Sequence, residues 1–495
     1  MDKKLDYTFY FKLLTPIVLG FLLYGISQLN GGWGLSSNAW LYASIFFALI
    51  VGLILEPIPS ALIGVIAITV AALFKVGPVG SGAENAAIKP AVAVNWAISG
   101  FSNSVVWLIF IAFTIGIGVN KTGLGKRLAL AIVAKLGNST LGLGYAIAIV
   151  DGILAPFIPS NAARSGGTVY PIVSAISTMF DSTPDKNPHK IGSYLIWIGV
   201  ATCCVSSSIF LTGQAPNPLA LSLLQKQGVQ VVDWTGWLIA FAPVGVILFL
   251  ITPLLCYIIY PPEIKGSSEV VAWANQERAK LGKISRGEIF MVLICLIGLI
   301  LWVGGSIFAI NATTTAFVVI VLMFATKVID WQDFLSNKPA WNTLMWFGTL
   351  VAMAAGLKNV GYLDWAGNIL KQYLVNLDTF WAMIILLLSF SIFRYCFASG
   401  TAFVTAMIAI FATIAHAVPN LNVVETMLIL CLPMGFMGII TPYGTGCSPL
   451  WYGSHYIKGP TFFKLGAIFA IIFMAIYIVV GIPWIKYILP SLTLH

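Results

Sequence analysis

Charge is what this sequence lacks most. Of 495 residues, only 9% are Asp, Glu, Lys or Arg, against about a quarter in a soluble globular domain. A soluble fold is excluded, because 59% of the chain is hydrophobic. Alternating ten-residue strands are also absent, which excludes an outer-membrane barrel. Histidine is scarce, at four residues, and the seven cysteines show no CxxC spacing. No metal site, redox motif or cofactor is expected. Cys203, Cys204, Cys256, Cys295, Cys396, Cys431 and Cys447 read as buried small hydrophobes. The first apolar run is too long for a signal peptide, and no small-residue cleavage site follows it. Apolar runs long enough to cross a bilayer recur from Lys12–Leu29 to Gly466–Val480. The chain reads as a polytopic α-helical membrane protein.

The net charge of +9 raises nucleic-acid binding, but the positions of the basic residues argue against it. With the N-terminus placed in the cytosol, Lys3, Lys4, Lys12, Lys121, Lys126, Arg127, Lys135, Lys265, Arg278, Lys280, Lys283 and Arg286 fall on the inner side. The outer side keeps Lys75, Lys89, Lys226, Lys358, Lys371 and Lys486. This is the asymmetry of a protein inserted in a lipid bilayer. It predicts a multi-pass protein with its C-terminus outside and no nucleic-acid partner.

Residues 261–288 form the only long polar segment and read as a cytosolic linker. Three motifs recur across it in the same order. GVNKTGLGKRLA at 118–129 resembles GLKNVGYLDWAG at 356–367, PSNA at 159–162 resembles ASGT at 398–401, and TGQAP at 212–216 resembles TGCSP at 445–449. The offsets are 238, 239 and 233 residues, the signature of an internal repeat.

The stretches 140–177 and 379–416 are too long for one span and too short for two spans with a loop. Each carries a polar motif at its centre and is expected to be a re-entrant helical hairpin, since non-helical backbone at that depth must line protein or water. The alternative is a proline-kinked pair of full spans. Five crossings separate the two motifs, so the first hairpin enters from the cytosol and the second from outside. At TGQAP and TGCSP, glycine and proline together force a helix to unwind. The fold class is therefore all-α, with two inverted-topology repeats. Each repeat holds a re-entrant hairpin and a broken helix, and the whole has about 11 spans plus the two hairpins.

Each hairpin tip presents the start of a returning half-helix, with unpaired N–H groups and partial positive charge. Ser160, Asn161, Ser399 and Thr401 add polar donors, and Gly213, Gly400 and Gly446 let backbone approach a ligand closely. Two such tips suit an anion with a carboxylate at each end. Arg164 lies one turn past the first tip and Arg394 one turn before the second. A charge in lipid costs at least about 2.5–3.5 kcal/mol, so each arginine needs a partner. Two readings stay open: both offset the charge of a bound dicarboxylate, or Arg164 pairs internally with Asp151.

PSNAAR-x-GG, ASGTAFVTAM and TPYGTG-x-x-PLWYGS together resemble the signatures of the divalent anion/sodium symporter family, over essentially the whole chain. The similarity is to its branch of citrate/succinate antiporters and 2-oxoglutarate/malate translocators. The resemblance implies a homodimer in a bacterial inner membrane, an elevator-like movement of a transport part against a scaffold, and dicarboxylate held at the tips. It places scaffold spans at 1–103, 233–260 and 289–340. Repeat 1 then occupies 104–232 and repeat 2 occupies 341–459, with a last span and C-terminus at 460–495. The binding residues it implies are Ser160, Asn161, Ala162, Arg164, Thr212, Gly213, Ser399, Gly400, Thr401, Thr445, Gly446 and Ser448, with Arg164 and Arg394 compensating charge and no metal ligand. The family's Ser-Asn-Thr motif appears here as Ser160-Asn161-Ala162 and Ser399-Gly400-Thr401. The branch usually has Thr where Ala162 stands and His where Phe403 stands.

Fixed cations beside the tips cannot leave with the substrate, which favours exchange of one dicarboxylate for another without sodium. A sodium-coupled di- or tricarboxylate symporter is the alternative. An intramembrane enzyme or an anion channel is the alternative of a different class. Catalysis is disfavoured because only Asp151 offers an intramembrane carboxylate, and Ser399 lies seventeen residues from His416, about 25 Å along a helix. The amphipathic stretches at Lys126–Leu136 and around Asp364 and Lys371 are expected to lie along the two membrane faces.

Overall fold

The computed structural model describes residues 7–84, 87–374 and 378–495. Lys3 and Lys4, assigned above to the inner side, lie outside the described residues. Among the described residues the chain is helical, with two isolated β-bridges and no strand.

The first long helices are α1 (Tyr7–Leu29), α2 (Ser37–Leu55), α3 (Ser60–Leu73) and α4 (Ser104–Thr122), with a nine-residue helix, Pro90–Ile98, ahead of the last. The surface helix α5 (Leu124–Leu136) precedes the first helix–turn–helix, made of α6 (Thr140–Leu154) and a returning helix α7 (161–179). The first broken helix joins α8 (Gly192–Ile209) to α9 (Pro216–Lys226), and α10 (Trp234–Ile259) follows. Past the linker helix α11 (Ser268–Lys280) come α12 (Arg286–Val303), α13 (Ala312–Ala325), α14 (Lys338–Asn359) and a second surface helix, α15 (Tyr362–Leu374). The second helix–turn–helix is α16 (Thr379–Ile392) with α17 (Gly400–Ala417). The second broken helix joins α18 (Val423–Cys431) to α19 (Ser448–Tyr452), and α20 (Gly459–Ile476) and α21 (Ile482–Ile488) close the chain.

Ten helical segments among the described residues are long and apolar enough to cross a membrane. Two of them are the arms of the second helix–turn–helix. Setting that pair aside as a hairpin and adding the shorter apolar helices α3, α13 and α18 gives eleven crossings. This count is consistent with the expected re-entrant hairpins and inverted repeats.

Span starts are set by local chemistry. Side chains of Ser36, Asn103, Asp233, Asn311, Asn337 and Asp378 accept the first free backbone N–H groups of α2, α4, α10, α13, α14 and α16, as N-caps do. Ser285 and Glu288 form a full capping box at α12. Two turns need glycine: Gly123 and Gly361 both have φ +78°, where other residues are strained. They are the second glycines of the two Gly-x-x-x-x-Gly steps, and each ends a span and starts a surface helix. The two steps thus share one backbone geometry, which is consistent with the expected repeat.

Burial sorts centre from periphery. In α8, 94% of the span is buried, whereas only 11% of α1 is. The two broken helices cross at Ser208 and Gly435. The Phe436 amide donates to Ser208 Oγ at 3.0 Å, and a Cβ on Gly435 would stand 2.5 Å from Ser208 N, so only glycine fits.

The linker starts as a strap over the base of the first hairpin. Amides of Glu263 and Ile264 donate to the carbonyls of His189 and Lys190, the Thr140 amide donates to Lys265 O, and the Ser267 amide to Asn138 O. Then α11 packs on α5. Arg127 of α5 pairs with Glu288 at the foot of α12 and donates to the carbonyls of Leu281, Gly282 and Lys283. In the second half of the chain, Trp365 of α15 donates to Trp33 O at 2.8 Å.

Five cysteines are buried as expected, but Cys295 is half-buried and Cys396 exposed. Cys396 ends the single turn of 3-10 helix that leads into the second tip, where the chain leaves the packed helices.

Candidate functional site

At the first tip the backbone of Ser160 is extended, and its side chain accepts from the Ala163 amide at 3.2 Å. A capping serine keeps its own O–H to donate. Asn161–Arg164 is the first turn of α7, and a π-helical turn at Ser165–Val169 follows at once. Such turns occur often at functional sites.

Arg164 is fully buried and saturated by protein. Its Nε donates to Asp151 Oδ1 at 2.9 Å, and its Nη1 to the carbonyls of Ile158 and Gly213, both at 2.9 Å. Its Nη2 donates to Ser206 Oγ at 3.0 Å and Ser207 Oγ at 3.3 Å. Ser206 also donates to the other oxygen of Asp151. The structure thus forms the Arg164–Asp151 pair, one of the two partners left open by the sequence. Its charge is matched within the hairpin.

The second tip differs. Ser399 caps α17, accepting from the Ala402 amide at 3.5 Å, and Thr401 lies in the first turn. Arg394 is 1% exposed. Its Nε and Nη2 donate to one acceptor, Gly444 O, at 3.1 and 2.7 Å. Its Nη1 has no partner. Four charged residues are buried among the described residues: Asp151, Arg164, Glu288 and Arg394. The first three are ion-paired, and Arg394 is not. One face of its guanidinium lies 5.3 Å from the Phe403 ring centroid, within cation–π range. Phe390 and Phe397 pack on Phe403 at 4.6 and 5.5 Å.

The breaks join the tips into one cluster. Asn161 Nδ2 donates to Thr445 Oγ1 at 2.6 Å and reaches Ser207 Oγ at 3.5 Å, linking the first tip to the second break. Arg164 to Gly213 links it to the first break. A Cβ on Gly400 would stand 2.9 Å from Arg394 Nη2 and 3.3 Å from Pro216 Cγ, so the second tip touches the first break. A Cβ on Gly446 would stand 2.7 Å from Asn161 Oδ1. Here glycine serves close approach.

Two sequence candidates are held by structural partners. Thr212 donates to Pro156 O at 2.8 Å and accepts from Trp234 Nε1 at 3.1 Å. Thr445 accepts from Asn161. Ser448 Oγ is buried without a partner, and so is Thr441 Oγ1. Gly446 is exposed, and Ser160, Ala162 and Ser399 are half-exposed, amid buried neighbours.

Sequence reasoning missed Thr441, the run Ser206–Ser208 and Asn217. Asn217 Nδ2 donates to the carbonyls of Ser207 and Phe210 at 2.7 and 3.1 Å, satisfying backbone that the break leaves open. Three consecutive serines just before a predicted break were the signal that could have revealed the run Ser206–Ser208. Beside this cluster, a cavity of about 480 Å³ has Leu211 and Pro218, which flank the first break, in one wall. Ser104, Asn311 and Thr313 lie in the other.

A buried, polar, cation-bearing cluster at two facing helix breaks defines a membrane transporter rather than an enzyme. Residues 10–490 match the family described as the sodium:sulfate symporter transmembrane region. The chain belongs to the divalent anion/sodium symporter family. It is similar to the L-tartrate/succinate antiporters of Shigella sonnei (strain Ss046) and Escherichia coli (strain K12). Each is 38% identical over 462 residues, which cover 92% of this chain and 94% of the relative. In fold it resembles the YdaH transporter of Alcanivorax borkumensis, with a TM-score of 0.55 at 11% identity over 91% of this chain and 98% of that one.

Proposed function

We propose that this protein exchanges dicarboxylates across a bacterial inner membrane without sodium, holding them at the two hairpin tips. The observation that carries the proposal is Arg394, a buried guanidinium with a free edge and no acidic partner. The unpartnered hydroxyl of Thr441 lies beside Gly444, whose carbonyl Arg394 holds, and Gly400 at the N-terminus of α17 lies against the guanidinium. An unpaired buried charge is costly, and a bound carboxylate relieves that cost with charge-assisted hydrogen bonds. The first tip contributes Ser160, Asn161 and the backbone around Ala162 for the second carboxylate. Arg164 acts there as a positioning residue that fixes the tip against the first break.

The guanidinium groups also bear on sodium. Sodium, a hard cation, seeks oxygen ligands, as Ca²⁺ and Mg²⁺ do. Arg164 occupies the carbonyls of Ile158 and Gly213, and Arg394 that of Gly444. Fixed cations thus take the oxygens that the unwound backbone would offer to a mobile one. Arg394 and the partial positive N-termini of α7 and α17 together offset a bound dianion, and because none of them can leave with the cargo, an empty carrier would move them uncompensated through the barrier. Return is favoured only with a second dianion bound, which makes the carrier an obligate exchanger.

The re-entrant reading of the hairpins, the elevator movement, the homodimer and a cytosolic N-terminus belong to this proposal. They are supported by the matched breaks at near-constant offset and the sorted basic residues. The test is counterflow in proteoliposomes. Vesicles preloaded with succinate should take up labelled tartrate, succinate or malate equally with and without sodium, and empty vesicles should not. Sodium-driven uptake into empty vesicles would overturn the exchanger.

A further inference from the structure

A second concavity lies away from the polar cluster. It is a groove of about 760 Å³ whose walls come from α4, α5, α6, α10 and α12 and whose floor includes the first break. No charged or amide-bearing side chain lines it. Ile153, Val246, Leu250 and Leu296 stand in its walls, each 45–59% exposed, and Pro156 and Phe210 are at its floor. From Leu238 to Leu250 the α10 wall runs about 18 Å along the groove. We infer that this groove binds a phospholipid, with an acyl chain lying along α10 and an anionic headgroup at the end where α5 meets α12.

Two observations select this occupant. The first is charge. Leu124, Leu128 and Val292 line the end of the groove, where Lys126 and Arg127 sit between the two leucines, Lys283 precedes α12 and Arg286 opens it. Five basic residues from Lys126 to Arg286 (with Lys280) meet the two acids Glu277 and Glu288 there, and Lys283 and Arg286 are exposed. This rim complements an anionic headgroup.

The second is the floor. Pro156 and Phe210 belong to non-helical backbone at the first tip and first break. Behind them, Thr212 donates to Pro156 O and the Gly213 amide to Phe210 O, while Gly213 O accepts from Arg164. Unwound backbone in a membrane must be sealed by protein or line water. Water at this point would open a path from the bilayer flank to the polar cluster. An acyl chain keeps the groove dry and follows the walls if they shift.

The test uses the intact protein in vesicles with a photoreactive diazirine on the acyl chain of phosphatidylglycerol or phosphatidylcholine. Helix α1 supplies the control, because Phe21 and Leu22 are 74% and 53% exposed and sample ordinary surrounding lipid. Labelling at Val246, Leu250 and Leu296 should exceed that of α1 several-fold, and more so with phosphatidylglycerol. Val246→Trp, or Leu296→Trp should the first fold poorly, should abolish the excess by filling the groove. The double variant Lys283→Gln, Arg286→Gln should erase the headgroup preference and leave the acyl labelling. Groove labelling no greater than that of α1, or unchanged in both tryptophan variants, would refute the site. Equal labelling by the two headgroups in the wild type would refute its anionic half.

Discussion

Asp151 and Arg164, thirteen residues apart in one hairpin, form an ion pair at 2.9 Å with both side chains at most 2% exposed. Removing one member leaves the other charged and unpaired, at about 3–5 kcal/mol. Arg164→Gln and Asp151→Asn should therefore each lower folded yield and melting temperature sharply. The double variant should recover much of both, together with part of the exchange rate. Exchange in the wild type, both singles and the double decides it. A double variant that folds well but transports nothing would return Arg164 to direct substrate contact.

Arg394 should behave in the opposite way. It has no acid to strand, so Arg394→Gln should leave the melting temperature of the substrate-free protein unchanged or raised. Hydrogen bonds to a charged group contribute about 1.5–3 kcal/mol, so dicarboxylate affinity should fall by about ten- to a hundredfold. The stabilisation that succinate confers on the wild type should vanish. Thermal shift with and without succinate reads both halves, and a variant that keeps the shift would remove Arg394 from the site.

Asn161→Ala and Thr401→Ala test one tip each. Each deletes a polar group from the buried cluster, and affinity should drop by about tenfold or more. Asn161→Ala also removes the donor to Thr445 Oγ1. Equilibrium binding of labelled substrate measures the effect. Wild-type affinity in both variants would mean that the anion binds elsewhere.

Topology is open to labelling. With the exposed Cys396 replaced by Ser, Ser268→Cys on the linker and Ser491→Cys near the C-terminus, both exposed, should react with an impermeant maleimide from opposite faces. Intact cells should label only Ser491→Cys, and inverted vesicles only Ser268→Cys. Reaction of both from one face would contradict an odd number of crossings.

The breaks were legible because glycine and proline amid apolar residues leave helix no alternative, as at TGQAP and TGCSP. The tips were legible because a polar triplet in a long apolar run needs a special place. Asp151 and Arg164 could be paired in advance because both lie in one hairpin. The free edge of Arg394 could not be foreseen. It depends on Gly444, fifty residues away, supplying a single carbonyl and on the absence of any carboxylate nearby, which no local pattern encodes. Thr212 shows the reverse. Its type and place suited a ligand, but Trp234 from the next span claims its hydroxyl. The Asn161–Thr445 contact bridges 284 residues, beyond any periodicity argument.

The crossing of Ser208 with Gly435 carries a consequence for biosynthesis. Ser208 waits for Phe436 and Asn161 for Thr445, partners 228 and 284 residues later in the chain. At ordinary translation rates that interval is roughly ten to sixty seconds. Throughout it the first half sits in the bilayer with its polar centre half-made and its broken helix lacking a mate. The ribosome-bound nascent chain is then exposed to quality control. Mutations at Gly435 should cause loss of protein by proteolysis during insertion, read by pulse-chase of the newly made chain.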